Sequence, residues 1–275
     1  MLRIKFGKMN DMTRISVITL IDQMRRKSLY LLLAIAVIFL LFIRGCYQGD
    51  YFINGRHVDS STMAWHASLL LFHFIAAGMF LMTSMFSMGI FSRDRDDGSM
   101  VMFLSRPVDR WQYVLGRIVG TWVLSTTFMF VLHLTIFLIV LAHTGEGIAG
   151  YLTASLLCSV NLLFAIVLTC FLSLFLPNVM AAIFTLGIIG ISFLSDGAYQ
   201  IMQSELIRQM LSGESSTSLW RIIFPKVYML QHYASTLITN YAFDGMSPVY
   251  VWSNIVFYTG ALLAAALWRF YRSEV

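Results

Sequence analysis

"GIAGYLTASLLCSVNLLFAIVLTCFLSLFLPNVMAAIFTLGIIGISFLS", residues 147–195, runs for 49 positions without one Asp, Glu, Lys or Arg. A helix needs about 20 predominantly apolar residues to cross the hydrocarbon core of a bilayer. The stretch is too long for one crossing and suits two. Pro177 divides it, because proline disfavours helix in the residues just before it, and Asn178 suits a turn. Two spans follow, at about 151–175 and 179–195.

Outward from this stretch the pattern repeats. Apolar runs at about 28–46, 63–91, 114–141 and 249–268 bring the expected count to six spans. Composition agrees: 58% of the 275 residues are hydrophobic and 12% charged, about half the charged share of a soluble domain. In lipid every backbone polar group must be satisfied within the chain, so only helices or a closed barrel can cross. These runs lack the two-residue alternation of barrel strands. The expected fold is all-α, a single polytopic membrane domain over 1–275.

Counting Lys and Arg by alternating loops sets the orientation. With the N-terminus inside, one side carries 14 of the 19 basic residues and the other five, while the acids divide evenly. Both termini and the loop after the second span are therefore expected in the cytoplasm, at the plasma (bacterial inner) membrane. The basic residues read as topology markers, and no nucleic-acid partner is expected. The basic region ahead of the first span is 27 residues long, unlike the short leader of a signal peptide. Within it, residues 13–27 place Ile15, Val17, Ile18, Ile21 and Met24 on one side of a helix. Such a helix either lies amphipathically on the membrane surface or extends the first span. The roughly fifty residues from 196 to 247 form an external segment, read either as helices dipping into the outer leaflet or as a surface cap.

Chemistry inside the spans is sparse. Coupled pumps keep ionisable residues within the membrane, whereas here all Asp, Glu, Lys and Arg are expected in loops or at helix ends. No GxxxxGK[ST] phosphate loop is present, so any nucleotide hydrolysis belongs to another chain. His66 and His73, seven apart, share a face of the second span, and His133 lies in the third. They suit interhelical hydrogen bonds better than a metal site, since no HExxH or CxxCH accompanies them. Cys46, Cys158 and Cys170 offer no disulfide or metal spacing. No catalytic residue, cofactor or metal ligand is assigned to this chain.

The segment "RDRDDGSMVMFLSRPVDRWQYVLGR", residues 93–117, holds nine charged side chains between two apolar spans. Asp96 and Asp97 suit a helix N-terminus, and Met100, Val101, Phe103 and Leu104 then give a short amphipathic helix that Pro107 ends. Exposed Met and Phe there form a docking surface. Asp109 with Gln112 is a capping-box-like start for the next helix.

This segment resembles the inner-loop motif of the ABC-2 type transporter permeases: an acidic pair and Gly, a short apolar helix, a Leu-Ser-x-Pro turn with a basic residue, then a run ending in Gly and a basic residue. Asp96, Asp97, Gly98, Leu104, Ser105, Pro107, Val108, Arg110, Gly116 and Arg117 carry the match, with Asp109 standing where the family usually has Ser or Thr. The layout is similar to the stand-alone six-helix branch that includes the permease of nitrous-oxide-reductase maturation. The resemblance implies the permease subunit of an ATP-driven exporter. Residues 93–113 would be its cytoplasmic coupling loop, with Asp96, Asp97, Gly98, Met100, Val101, Phe103, Leu104, Ser105, Arg106, Pro107 and Arg110 contacting the ATPase. It implies two partners besides the lipid bilayer, a cytoplasmic ABC ATPase that uses ATP and Mg and a second permease copy or homologue. The substrate path would lie between the permeases, walled by the second and fifth spans with the external segment as lid. Two other readings fit the same residues: a membrane-embedded haem or metal redox subunit using His66, His73 and His133, and a membrane assembly scaffold without transport.

Overall fold

The charge-poor runs fold as helices in the computed structural model, which describes residues 11–46, 51–53, 56–58, 60–91, 109–145, 147–203, 224–239, 242–243 and 246–272. In chain order these are α1 (Asp11–Met24), α2 (Lys27–Cys46), α3 (Ser60–Ser87), α4 (Arg110–Thr144), α5 (Ala149–Leu172), α6 (Asn178–Gln203), α7 (Val227–Thr239) and α8 (Pro248–Arg272). Between α2 and α3, β1 (Tyr51–Ile53) and β2 (Arg56–Val58) pair antiparallel, with Phe52 opposite His57.

Among the described residues five helices are long and apolar enough to cross a membrane: α3 from His66, α4, α5, α6 and α8. Helix α2 has 20 residues, about 30 Å at 1.5 Å per residue, and its described apolar stretch, Leu29–Ile38, is shorter. Five of the six expected spans are therefore supported among the described residues, and the remaining one, about 28–46, falls on α2.

Helix α4, at 35 residues, is about 50 Å long, well beyond the roughly 30 Å hydrocarbon core. It ends because Gly145 takes the left-handed conformation (φ 71°) and its N–H closes on Leu141 O, a backbone state that costs glycine nothing. Between α5 and α6 the chain turns over residues 173–177, and Pro177 O then accepts Ala181 N at 3.0 Å in the first turn of α6.

Helix α5 is the centre of the bundle and packs against α3, α4, α6, α7 and α8. Lipid is as apolar as leucine, so helices here associate through close van der Waals fit and interhelical hydrogen bonds. Two apolar clusters result. The larger runs through most of the bundle and includes Phe72, Met79, Tyr151, Leu162 and Leu230. The smaller gathers Ile15, Phe91, Tyr113, Ile118, Val167 and Phe270 at one end, called here the near end.

These contacts give alternating helix directions. The end of α3, the start of α4 and the ends of α5 and α8 meet at the near end, together with α1. Helix α7 lies at the opposite, far end. It is packed into the bundle, with Val227, Met229, Leu230, Gln231, Ala234 and Ile238 all buried. Gly150, at the start of α5, lies directly against Leu237 O, where any side chain would collide with backbone.

Candidate functional site

Of the residues expected to contact an ATPase, Asp96, Asp97, Gly98, Met100, Val101, Phe103, Leu104, Ser105, Arg106 and Pro107 lie outside the described residues. The two flanks of that segment are described, and they meet. Phe91 precedes it and Tyr113 follows it, and their ring centroids stand 5.4 and 5.9 Å from that of Phe270 on α8. Arg110, in the first turn of α4, donates from Nη1 to Tyr271 O at 3.1 Å. Asp109 occupies the N-cap position of α4 and its carbonyl accepts Gln112 N at 3.0 Å. Its side chain makes no capping hydrogen bond, so the Asp109 half of the expected capping box does not form.

Helix α1 is seated on this same part of α4. A Cβ on Gly116 would stand 2.8 Å from Ile15 Cβ, and one on Gly120 would stand 2.6 Å from Ser16 O. The two glycines, one turn apart, let the helix backbones approach more closely than any side chain permits. The stripe of α1 buried against α4 is Ile15, Thr19 and Gln23. Gln23 Nε2 donates to Thr121 Oγ1 at 2.8 Å and Arg117 Nη1 to Thr19 Oγ1 at 3.3 Å. These bonds explain the choice of face: the polar stripe finds partners on α4, whereas Met24 remains exposed.

Charges also enter the bundle, against expectation. Arg117 lies two turns into α4 and is buried. Asp196 lies inside α6, which runs on to Gln203 instead of ending near 195. Lys226 Nζ donates to both of its carboxylate oxygens, at 3.0 and 3.4 Å. The two side chains are 1% and 2% exposed. Neutralised in this way, Asp196 does not interrupt its helix.

The pair belongs to a larger fastening. Ser192 Oγ donates to Pro225 O at 2.6 Å, and Tyr228 OH to Gln200 Oε1 at 2.9 Å. Ser192, Asp196 and Gln200 recur every fourth residue, so one stripe of α6 holds the entry to α7 at three successive turns. Asn254 Oδ1, on α8, accepts Lys226 N at 2.9 Å. From α5, Asn161 Nδ2 donates to Val227 O at 3.1 Å and Cys158 Sγ to Gln231 Oε1 at 3.0 Å. Burial, and then the charge of Asp196, push the Tyr228 phenol above its usual pKa, so the hydroxyl stays a neutral donor.

The three expected histidines do not form one cluster: His73, on α3, lies beside Phe72 and interacts with His232 of α7. His66 is exposed on α3. His133 is fully buried and pairs through Nδ1 with Ser155 Oγ at 2.8 Å, its ring stacked 5.0 Å from Phe72. That is the interhelical hydrogen bond expected of it. Tyr151 OH closes the layer by donating to Ser68 O at 3.3 Å. Among the described residues, no three His, Cys, Asp or Glu side chains gather as a metal-ligand group.

A crevice of about 240 Å³ opens between α2, α3 and α4, lined by Ile35, Phe74, Gly78, Met82, Phe128 and Leu132 among others. Its lining side chains are apolar, which suits hydrocarbon and offers no charged group to hold an ion.

A family model described as "ABC-2 family transporter protein" matches residues 15–275. No curated protein matches the chain.

Proposed function

The chain belongs to the ABC-2 transporter family and is a transporter membrane subunit, and on that premise we propose that it is the permease of an ATP-driven exporter whose ATPase is a separate subunit. In this reading α2 is the first of six spans and the near end faces the cytoplasm, as the excess of basic residues on that side requires. Residues 93–113 form the coupling loop, and a second permease copy or homologue completes the path for substrate.

The observation that carries the reading is the meeting of Phe91 and Tyr113 on Phe270. A protein that pushed on the segment between them would push on α3, α4 and α8 together. Helix α1 would move with them, because Gly116 and Gly120 hold its backbone against α4. Packed interfaces transmit displacement of this kind because they have few voids in which to absorb it. The loop thus works as a handle on the near end, and the energy source lies in the partner. The apolar lining of the crevice favours a hydrophobic or amphiphilic cargo over a small ion.

Met100 and Phe103 supply the test. With the ATP-hydrolysing subunit co-expressed, Phe103→Asp and Met100→Asp are expected to abolish its co-purification while membrane insertion continues. Full retention of the ATPase, together with unchanged ATP-dependent transport, would show that the handle lies elsewhere.

A further inference from the structure

We propose that the crevice between α2, α3 and α4 holds the distal part of one acyl chain of a membrane lipid. Its walls run along the helices: Phe74, Gly78 and Met82 line it at successive turns of α3, with Phe128 and Leu132 on α4 and Ile35 on α2. Eight residues separate Phe74 from Met82, a rise of about 12 Å. The crevice is thus elongated along the helix axes, as the chains of a bilayer are. It exists because α2 stands off from the bundle. Leu29 at the base of α2 is buried, whereas Leu33, Ile35, Val37 and Ile38 are exposed.

Gly78 keeps the space open. Gly120 and Gly150 each admit the backbone of a neighbouring helix, but a Cβ on Gly78 would meet no heavy atom within 4 Å. What this glycine admits is the crevice itself. Depth then identifies the occupant. The membrane-crossing part of α3 is His66–Ser87, with its middle at Ala76 and Ala77, so the crevice lies mainly in the half of the membrane toward the near end. Met82 is five residues from Ser87, about 7.5 Å. A lipid with its head group at the near end therefore reaches the crevice with the far part of a chain. An apolar cavity of about 150 Å³ accommodates benzene, so the crevice, at about 240 Å³, takes roughly ten carbons.

With no charged side chain on its walls, the crevice selects for the hydrocarbon and leaves the head group at the membrane surface. Apolar contact with a well-shaped wall is what binding between groups already in lipid depends on, since transfer from water contributes nothing there. The inference rests on the chain crossing a membrane and not on the coupling loop, so its failure would leave the assignment of the ATPase handle standing.

The full-length protein is reconstituted in phosphatidylcholine bilayers with a trace of phosphatidylcholine that carries a photoactivatable diazirine near the end of one acyl chain. A second preparation carries the diazirine beside the ester carbonyl. After illumination, mass spectrometry locates the labelled residues. In wild type the distal probe is expected to label 74–82 of α3 more heavily than Val256 and Phe257, which are exposed on α8, and the ester probe is expected to miss that stretch. Gly78→Phe fills the space from a position with no close neighbour and should remove the excess label on α3 while leaving α8 unchanged. Ala36→Phe, entering from the α2 wall, should do the same and serves if Gly78→Phe fails to fold. Wild-type label on 74–82 no heavier than on α8, the result if α2 or a second copy closes the crevice, would overturn the proposal. So would an undiminished label in the filled variants.

Discussion

Replacing Asp196 by Asn leaves the ammonium group of Lys226 buried in the far end without its carboxylate. The two groups stand 3.0 Å apart, where unit charges attract by about 5 kcal/mol at an effective dielectric of about 20. Removing one partner from a buried pair typically costs roughly 3–5 kcal/mol, because the other charge is left uncompensated. For a chain of this size that loss lowers the melting temperature by about 10 °C. The same stripe of α6 also holds Pro225 and Tyr228, so the destabilisation should centre on α7. The assay is thermal unfolding of the detergent-solubilised protein, followed by intrinsic fluorescence and by recovery of the monodisperse peak. Asp196→Leu/Lys226→Met, which removes both charges and keeps the apolar bulk, should recover most of the loss, since hydrophobic replacements of buried pairs are often neutral. The reasoning is refuted if Asp196→Asn melts within about 2 °C of wild type, or if the double variant melts as low as the single one.

Gly120→Leu should unseat α1, because its Cβ would meet Ser16 O at 2.6 Å and Thr19 Cβ at 2.8 Å. Limited trypsin digestion at Arg14 and Arg25 is then expected to run at least about tenfold faster, as for a segment that has lost its protected state, and an unchanged rate would show that α1 tolerates the clash. Tyr228→Phe removes one hydrogen bond and should cost about 1 kcal/mol. Because burial and Asp196 hold the folded phenol above its usual value, the stability that this hydroxyl provides should persist up to about pH 10, where the unfolded phenol ionises, and decline above it. Melting curves of wild type and Tyr228→Phe across alkaline pH should therefore converge only beyond that point, and convergence near neutrality would contradict the assignment.

The helices were legible because the membrane imposes a simple requirement on sequence: long runs without charge. Residues 147–195 and Pro177 gave two helices and the turn between them with no further information. What the run lengths could not give was the packing face of α1. Its apolar side chains suggested a membrane-surface helix or an extension of the first span, and neither reading names the face that packs on α4, which is Ile15, Thr19 and Gln23. The deciding features are Gly116, Gly120 and Thr121, about a hundred residues further along the chain. A hydrophobicity pattern on one helix cannot register a groove on another.

The same blindness explains the missed fastening at the far end. Asp196 was read as the place where an apolar run stops, since an isolated charge in a bilayer is costly. The cost falls on the isolated charge, however, and Lys226 arrives from 30 residues later to pair with it. A trace of this was present in the sequence. Ser192, Asp196 and Gln200 are spaced four apart and continue the helical period beyond residue 195, as a polar stripe does when it faces protein and not lipid. Counting charges finds where a helix leaves the membrane only when those charges face water. When polar residues keep the helical period past the end of an apolar run, the helix continues, and its partner should be sought in the next connection.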